Sequence, residues 1–366
     1  MRVALVHWTL PPTVGGVETH LVDLANSYTS LGIDVVIVSG EPFPSIELFS
    51  DRVAFYCHDD LRRPLNCPTK PGSLGRLLAS LEVQVIHAHN ILPLGSQLLP
   101  EFRLAKATGA SLLFHTSHSE WPTSQWPEDH TLWDGMFAVS TYLKNRLLRL
   151  GVPTTVTRLP VDSEAFNSRV APLERANVSL LHPSRLVEEK GSSLSLDLLE
   201  LLLGEGVDVN LTIMETPRVF DISDNAAAYT DKIKCMIADL NLGTRIKLLT
   251  ASVIEMRAVY EASDIVLYPS IFPEPYGLAV LEAMSCERPV VASAAGGLRE
   301  NIQHGGTGLL FRPGHLRELY NLAKKLILQP DLGRRIGKDA RQYVVQERSV
   351  RHFAKSMIDV YRAGCF

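Results

Sequence analysis

The segment from residue 3 to residue 38 reads VALVHWTLPPTVGGVETHLVDLANSYTSLGIDVVIV and decides the expected fold. The apolar run at 3–7 is typical of a buried strand, and Gly15-Gly16 predicts a tight turn. Residues 18–31 place apolar side chains on one helical face, Gly32 ends that helix, and residues 35–38 predict the next strand. The segment therefore predicts a strand, a helix and a second strand in succession.

The same alternation of short apolar runs and helical patterns continues along the chain. In the first half, further strands are predicted at 83–87, 111–115 and 136–139. A second round is predicted with strands at 178–182, 209–214, 246–249, 265–268 and 289–291 and a helix at 192–203. This rhythm is typical of parallel sheets with helices on both faces, so the fold class is α/β.

The length of 366 residues suggests two domains. We place the linker in the mixed, polar segment 160–177, which gives a first domain at 1–170 and a second at 171–347. Open parallel sheets bind ligands at the carboxyl ends of their strands. Two such domains facing one cleft could each hold one of two substrates, an arrangement that suits group transfer.

Composition and charge exclude several classes of function. A net charge of -4 offers no basic field for nucleic acid. Five cysteines without C-x-x-C spacing disfavour a disulfide framework or a zinc site and favour a reducing compartment. The N-terminal apolar run is too short for a signal peptide, and no stretch approaches the ~20 apolar residues of a membrane span. We therefore expect a cytoplasmic protein, with contact to a membrane surface left open.

The stretch at 274–282, EPYGLAVLE, joins a loop to a helix. Glu274 lies between prolines and is expected in the loop, whereas Glu282 is expected within the first turns of the helix. The free N–H groups near the start of that helix can hold a phosphate, and the two carboxylates can accept hydrogen bonds from hydroxyl groups. A sugar–diphosphate–ribose ligand has this layout. Taken alone, the pair is more typical of an ordinary surface loop and helix joined by an ion pair.

Two cations follow the strand that is predicted to end at His182. Arg185 can engage phosphate oxygens in bidentate fashion, and Lys190 can act as a point charge. Together they suit an anionic diphosphate. The alternative is a solvated charged loop in which Glu188 and Glu189 are the local partners.

Two histidines and two tryptophans are further candidates in the first half. His115 ends a predicted strand and His118 follows it, which suits a polar role in the cleft, although a lone histidine is more often structural. No carboxylate completes a ligand set, so no metal is expected. Trp121 and Trp126 could stack on sugar faces, although most aromatic residues pack in cores. Acceptor contacts are therefore predicted at His118, Trp121 and Trp126.

The order and spacing of these motifs resemble a known family. They comprise Gly15-Gly16-Val17-Glu18, Phe114-His115-Thr116-Ser117, Arg185 with Lys190, the E-x7-E pair Glu274 and Glu282, and Pro289-Val290-Val291-Ala292 with Gly296-Gly297. The chain resembles the retaining glycosyltransferases of family 4, which have the GT-B fold of two Rossmann-like domains facing across a cleft. The resemblance covers nearly the whole chain and implies that a C-terminal helix at about 348–366 packs back on the first domain.

The resemblance also implies roles for individual residues. His115 and Glu274 would lie at the reacting sugar as catalytic residues. The donor would be bound by Gly16, Arg185, Lys190, Tyr276, Gly277, Leu278 and Glu282. Leaving phosphate would help to deprotonate the acceptor, so neither a protein nucleophile nor a metal or other cofactor is expected.

The implied function is retaining transfer of a sugar from a nucleoside-diphosphate donor to a hydroxyl group of a glycan, glycolipid or secondary metabolite. A UDP-sugar is favoured and a GDP-sugar stays open, because Glu215-Thr216-Pro217 replaces a turn that is often glycine-rich in the family. The alternatives are a nucleotide-sugar-binding subunit without activity, a nucleotide-sugar epimerase or a sugar phosphorylase. A nicotinamide-dependent oxidoreductase is disfavoured, because Gly15-Gly16 lacks the glycine at the third position of the dinucleotide fingerprint.

Overall fold

The computed structural model describes residues 1–62, 70–91, 98–109, 112–119, 130–168, 172–173, 177–215 and 226–364. It divides into two compact units, one formed by Met1–Pro160 with Val350–Phe366 and the other by Val161–Ser349. The division after Pro160 lies at the start of the segment 160–177 in which the linker was predicted, and it precedes the predicted boundary at residue 170.

The described part of the first unit contains a parallel sheet of seven strands. They are β1 Arg2–His7, β2 Asp34–Ser39, β3 Val53–Cys57, β4 Val85–His89, β5 Leu112–Ser117, β6 Gly135–Ala138 and β7 Thr155–Val156. The strand order is β3-β2-β1-β4-β5-β6-β7. Four helices of this unit are α1 Gly16–Ser30, α2 Ser73–Ser80, α3 Leu99–Gly109 and α4 Thr141–Arg149.

The second unit has its own parallel sheet, in which six strands are described. They are β8 Val178–His182, β9 Val209–Met214, β10 Ile246–Leu249, β11 Ile265–Tyr268, β12 Val290–Ser293 and β13 Leu309–Phe311. The strand order is β10-β9-β8-β11-β12-β13. The helices are α5 Ser192–Gly204, α6 Ala226–Asp239, α7 Met256–Glu261, α8 Leu278–Ser285, α9 Leu298–Asn301, α10 Leu316–Leu328 and α11 Pro330–Glu347.

Each sheet reverses its strand order next to its first strand. In the first unit, β1 pairs with β2 on one side and with β4 on the other. In the second unit, β8 lies between β9 and β11 in the same way. Such a reversal opens a crevice at the carboxyl ends of the two central strands, where open α/β sheets bind ligands. The loops that follow β1, β4, β8 and β11 are therefore the first places to search for a site.

The last helix of the described chain, α12 Val350–Gly364, belongs to the first unit. Its buried residues Ala354, Met357, Ile358 and Tyr361 recur at helical spacing and join the hydrophobic core of that unit. Tyr361 is fully buried, and its hydroxyl lies 2.9 Å from the Tyr28 hydroxyl on α1 and 2.5 Å from Nδ1 of His87 on β4. A polar contact thus fixes the helix in an otherwise apolar interface. None of the helices in the described residues has the length and apolar character that a membrane crossing requires.

Several histidines are buried in the first unit, and two of them lie on β4, next to the point where the strand order reverses. Imidazole rings of His87 and His89 lie 4.2 Å apart between centroids, and His20 lies 5.5 Å from His89. Burial lowers the pKa of His20 to about 3 and holds those of His87, His89 and His118 well below the ordinary value. These rings are therefore neutral in the folded protein near pH 7.

Replacing Tyr361 with Phe tests the attachment of α12. The change removes the hydroxyl from Tyr28 and His87 without altering the ring, and leaving buried polar groups unpaired costs about 1–3 kcal/mol. We expect Tyr361→Phe to lower the free energy of unfolding by that amount in chemical denaturation. Tyr56→Phe, which removes the hydroxyl of an exposed tyrosine on β3, is the matched control. Equal stability of the two variants would contradict the assigned contact.

The buried histidines predict a loss of stability in mild acid. Because their pKa values are lower in the folded state, the unfolded chain binds more protons once the pH falls below about 6.5. Each such histidine makes the unfolding free energy fall by about 1.4 kcal/mol per pH unit between pH 6.5 and its folded pKa. The measurement is chemical denaturation from pH 7.5 to pH 4.5. His20→Phe should flatten the slope and the exposed control His315→Phe should not, whereas identical slopes would contradict the explanation.

Candidate functional site

The loops that follow β8 and β11 are joined by backbone contacts. The Glu189 carbonyl accepts hydrogen bonds from the Ile271 N–H at 2.9 Å and from the Ser270 hydroxyl at 3.0 Å. Gly191 has a φ of 72°, and a Cβ there would lie 2.1 Å from the carbonyl oxygen of Pro269. Only glycine fits this approach. The two loops therefore form one structure at the point where the second sheet reverses.

Lys190 is the side chain at the centre of this structure. Its Nζ lies 2.5 Å from Oε2 of Glu274, and the two residues are 9% and 7% exposed. The same Nζ lies 5.0 Å from the ring centroid of Phe272 and 5.7 Å from that of Tyr268, within cation–π range. A buried cation thus has a carboxylate and two aromatic rings as its surroundings.

The charges around Lys190 are compatible with an additional anion. Burial lowers the pKa of the Lys190 ammonium, the positive charge of half-buried Arg185 lowers it further, and Glu274 acts in the opposite direction. Burial also raises the pKa of the Tyr268 hydroxyl well above its ordinary value, and the charge of Glu274 adds to that effect. Two cations therefore lie beside one buried carboxylate, and an anionic ligand would favour the charged form of Lys190.

The loop that contains Glu274 packs closely against glycine residues. The Glu274 carbonyl accepts a hydrogen bond from the Gly297 N–H at 2.7 Å. At Gly296, with a φ of 55°, a Cβ would lie 2.2 Å from that same carbonyl oxygen. At Gly277, with a φ of 87°, a Cβ would lie 2.5 Å from Cδ2 of Leu298. The backbone on either side of the Glu274 carboxylate is therefore fixed by close packing.

The start of α8 follows the Glu274 loop directly in the sequence. Gly277 is its N-cap residue and provides no capping side chain, and the first turn contains no acidic residue. The Tyr276 carbonyl accepts a hydrogen bond from Nδ2 of Asn301 at 2.7 Å, and Tyr276 and Leu278 are both buried. The first N–H groups of a helix carry a partial positive charge and can bind phosphate.

Glu282 lies on the same helix and is 8% exposed. The Tyr260 hydroxyl on α7 donates a hydrogen bond to its Oε2 at 2.8 Å. Burial raises the pKa of the Glu282 carboxyl to about 7, although the hydrogen bond from Tyr260 acts in the opposite direction. A carboxyl group that titrates near neutral pH is typical of a functional site.

The described structure gathers most of the residues predicted to bind a donor. Lys190 pairs with Glu274 rather than with its neighbours Glu188 and Glu189, and Glu188 instead lies 3.7 Å from Lys232 at the surface. Arg185 lies close enough for its charge to act on Lys190. The predicted residues Tyr276, Gly277, Leu278 and Glu282 form one continuous segment. Sequence reasoning missed Tyr260, Tyr268 and Phe272, because nothing local distinguishes them from core aromatic residues.

In the first unit, the loop that contains Gly15 and Gly16 lies next to a buried carboxylate, Glu18. Glu18, in the first turn of α1, accepts a hydrogen bond from the Thr9 hydroxyl at 2.5 Å and lies 3.6 Å from Nε2 of His7. Burial alone raises the pKa of Glu18, but contacts with His7 and Thr9 hold it below its ordinary value. A Cβ at Gly15 would lie 2.4 Å from Oε2 of Glu18. Gly16, predicted to bind the donor, is exposed at the start of the helix.

His115 and His118 lie inside the first unit. His115 is fully buried, and its Nε2 accepts a hydrogen bond from the Ile91 N–H at 3.2 Å. Burial lowers its pKa to about 3. His118 is 9% exposed, and its Nε2 lies 3.1 Å from Nδ1 of His89. The catalytic role of His115 and the acceptor contact of His118 stay predictions, and this buried geometry gives them no support.

Two further predictions concern other residues. Trp121 and Trp126, predicted to contact the acceptor, lie outside the described residues. Within the described ranges, no group of three or more His, Cys, Asp or Glu side chains is arranged to hold a metal ion.

Comparison with solved structures supports the fold. A glycosyltransferase from Rickettsia africae superimposes with a TM-score of 0.81 at 21% identity, over 99% of this chain and 98% of that one. HepE of Anabaena, solved in complex with UDP and glucose, gives a TM-score of 0.78 at 21% identity, over 98% and 99% of the two chains. At this level of identity, both show the shared GT-B fold of two parallel-stranded α/β units.

Sequence comparison identifies the family. The alpha-maltose-1-phosphate synthase of Mycobacterium tuberculosis is 33% identical over 117 residues, and the match spans 30% of each chain. Two family models together match most of the chain: "Glycosyltransferase Family 4" at residues 14–165 and "Glycosyl transferases group 1" at residues 166–343. The two models match successive halves of the chain. The chain belongs to the family 4 glycosyltransferases.

Proposed function

We propose that the chain transfers a sugar from a nucleoside-diphosphate donor to an acceptor hydroxyl group, and that the second unit binds the donor. The observation that carries this proposal is the buried contact of Lys190 with Glu274, which joins the loops after β8 and β11 at the reversal of the sheet. Open α/β sheets bind nucleotides at this position.

The diphosphate is assigned to the cationic part of the site. An ammonium group has three donors, so Lys190 can keep its bond to Glu274 and still donate to a phosphate oxygen. Arg185 supplies a second, bidentate donor, and the N–H groups at the start of α8 supply neutral ones. Charge on the leaving diphosphate grows as the bond to the sugar breaks, so these groups stabilise the transition state more than the bound donor.

We assign Glu274 to the transferred sugar and Glu282 to the ribose of the donor. Glu274 lies beside Lys190 in the loop after β11, and its carboxylate would accept hydrogen bonds from the transferred sugar. Glu282 lies further along α8, where it would accept from the ribose. The acceptor hydroxyl would attack the face that the diphosphate leaves, and a phosphate oxygen would take its proton. The anomeric configuration would then be retained.

UDP is the nucleotide that we favour. HepE of Anabaena, which has the same fold, was solved with UDP and glucose, and this supports the choice of UDP. The positive charge that the leaving group needs is assigned to Lys190 and Arg185, so the proposal requires no metal ion or other cofactor. The acceptor is a hydroxyl group of a glycan, glycolipid or secondary metabolite.

Calorimetry with UDP, GDP, TDP and ADP tests the proposal. We expect UDP to bind most tightly, and binding of GDP alone would change the donor but keep the site. Arg185→Gln should weaken nucleotide binding about tenfold, because a charged hydrogen bond to phosphate is lost. Lys338→Gln removes one positive charge from the exposed face of α11 and serves as the control.

Two outcomes would contradict the proposal. If no nucleoside diphosphate binds, the second unit is not a donor site. If Arg185→Gln and Lys338→Gln have the same affinity as the wild type, the diphosphate does not lie at the cations. Donor consumption without any acceptor product would instead favour an epimerase.

A further inference from the structure

Tyr260 is a fully buried residue of α7 that contacts two points on α8. Its hydroxyl lies 2.8 Å from Oε2 of Glu282 and 3.1 Å from the carbonyl oxygen of Ala279. Its ring meets that of Phe166 edge to face, with centroids 5.9 Å apart. The ring is thus held by packing, and the hydroxyl is directed at the part of α8 that carries Glu282.

The hydroxyl has one proton and two acceptors within reach. A hydrogen bond to a carboxylate is roughly twice as strong as one to a neutral carbonyl, so Glu282 is the preferred acceptor when it is ionised. Burial and the charge of Glu282 raise the pKa of Tyr260 well above its ordinary value. The phenol therefore stays protonated and remains a donor near neutral pH.

The hydrogen bond from Tyr260 gives the two oxygens of the Glu282 carboxylate different roles. Oε2 of Glu282 accepts the hydrogen bond from Tyr260, and among the described residues no side-chain hydrogen bond to Oε1 is observed. A carboxylate with one oxygen fixed and the other uncommitted has a defined orientation and can still accept hydroxyl groups from a ligand. Phenylalanine at position 260 would fill the same space without providing either effect.

We propose that Tyr260 is a positioning residue for the donor: its hydrogen bond holds Oε2 of Glu282, so that Oε1 of that carboxylate is directed towards the donor hydroxyl groups. The proposal rests on the donor role proposed for Glu282. It assigns no contact between Tyr260 and the ligand, because the residue acts through the carboxylate alone.

Other ionisable groups surround the pair. Cys286 follows α8, and burial raises the pKa of its thiol to about 12, so the thiol is neutral. Tyr268 on β11 acts electrostatically on Tyr260, and Glu261 on α7, Arg288 before β12 and Arg341 on α11 act on Cys286. Carbon NMR of the Glu282 carboxyl follows that group by itself.

The decisive variant is Tyr260→Phe. Loss of a hydrogen bond to the ionised form should raise the pKa of the Glu282 carboxyl by about one pH unit, measured by carbon NMR of the free protein. Affinity for UDP should then fall by about fivefold at pH 7, because a smaller fraction of the carboxyl is ionised, and the loss should shrink as the pH rises to 9. Tyr320→Phe is a matched control, since that hydroxyl also donates to a glutamate, Glu205, on another part of the same unit.

The pKa of Glu282 and the affinity for UDP test the inference and the proposed function separately. An unchanged pKa of Glu282 in Tyr260→Phe would overturn the positioning role, whatever the protein binds. A raised pKa with unchanged affinity for UDP would overturn the donor role of Glu282 and the inference with it. A loss of affinity that is the same at pH 7 and pH 9 would show a packing effect and would also contradict the inference.

A second variant covers the case in which Tyr260→Phe fails to fold. Fluorotyrosine at position 260 keeps the ring and the hydroxyl but donates a stronger hydrogen bond, because its phenol is more acidic. The pKa of Glu282 should then fall below that of the wild type. An unchanged or higher value would contradict the proposal.

Discussion

The contact between the Lys190 ammonium and the Glu274 carboxylate is the interaction on which the second unit's site depends. Removing two charges from water is costly, and a buried ion pair is weak support for stability. This pair is nevertheless close to the rings of Tyr268 and Phe272, and it joins two loops whose approach requires glycine at position 191. The pair lies at the reversal of the sheet, and this position fits the proposed donor site.

The two units share a sheet topology but carry different chemistry at the reversal of their sheets. In the second unit, Gly277 is the N-cap of α8, the first turn of that helix has no acidic residue, and Lys190 lies in the neighbouring loop. In the first unit, α1 has buried Glu18 in its first turn, beside His7. Helix starts favour negative charge, so one without an acidic residue and beside cations suits phosphate, whereas one already close to a carboxylate is partly compensated. This difference is the physical reason for assigning the donor to the second unit.

The sequence predicted the central strands well because buried parallel strands are continuous apolar runs. The predicted strands at 178–182, 209–214 and 265–268 are central in their sheet, the one at 246–249 lies at its edge, and all four have the observed bounds. The edge strands β3, β7 and β13 were not predicted. The pairing of Lys190 with Glu274, 84 residues apart, depends on how the loops fold. Burial of His115 and the contact of Tyr260 with Glu282 likewise depend on tertiary packing that no local pattern encodes.

The most direct test of the account is a crystal structure of the protein with bound UDP-sugar. We predict diphosphate oxygens within about 3 Å of Nζ of Lys190, the guanidinium of Arg185 and the first N–H groups of α8. Glu282 should contact the ribose through Oε1 while Oε2 keeps its bond to Tyr260. A diphosphate bound away from these groups, with the contact of Lys190 and Glu274 unaltered and unliganded, would contradict the account.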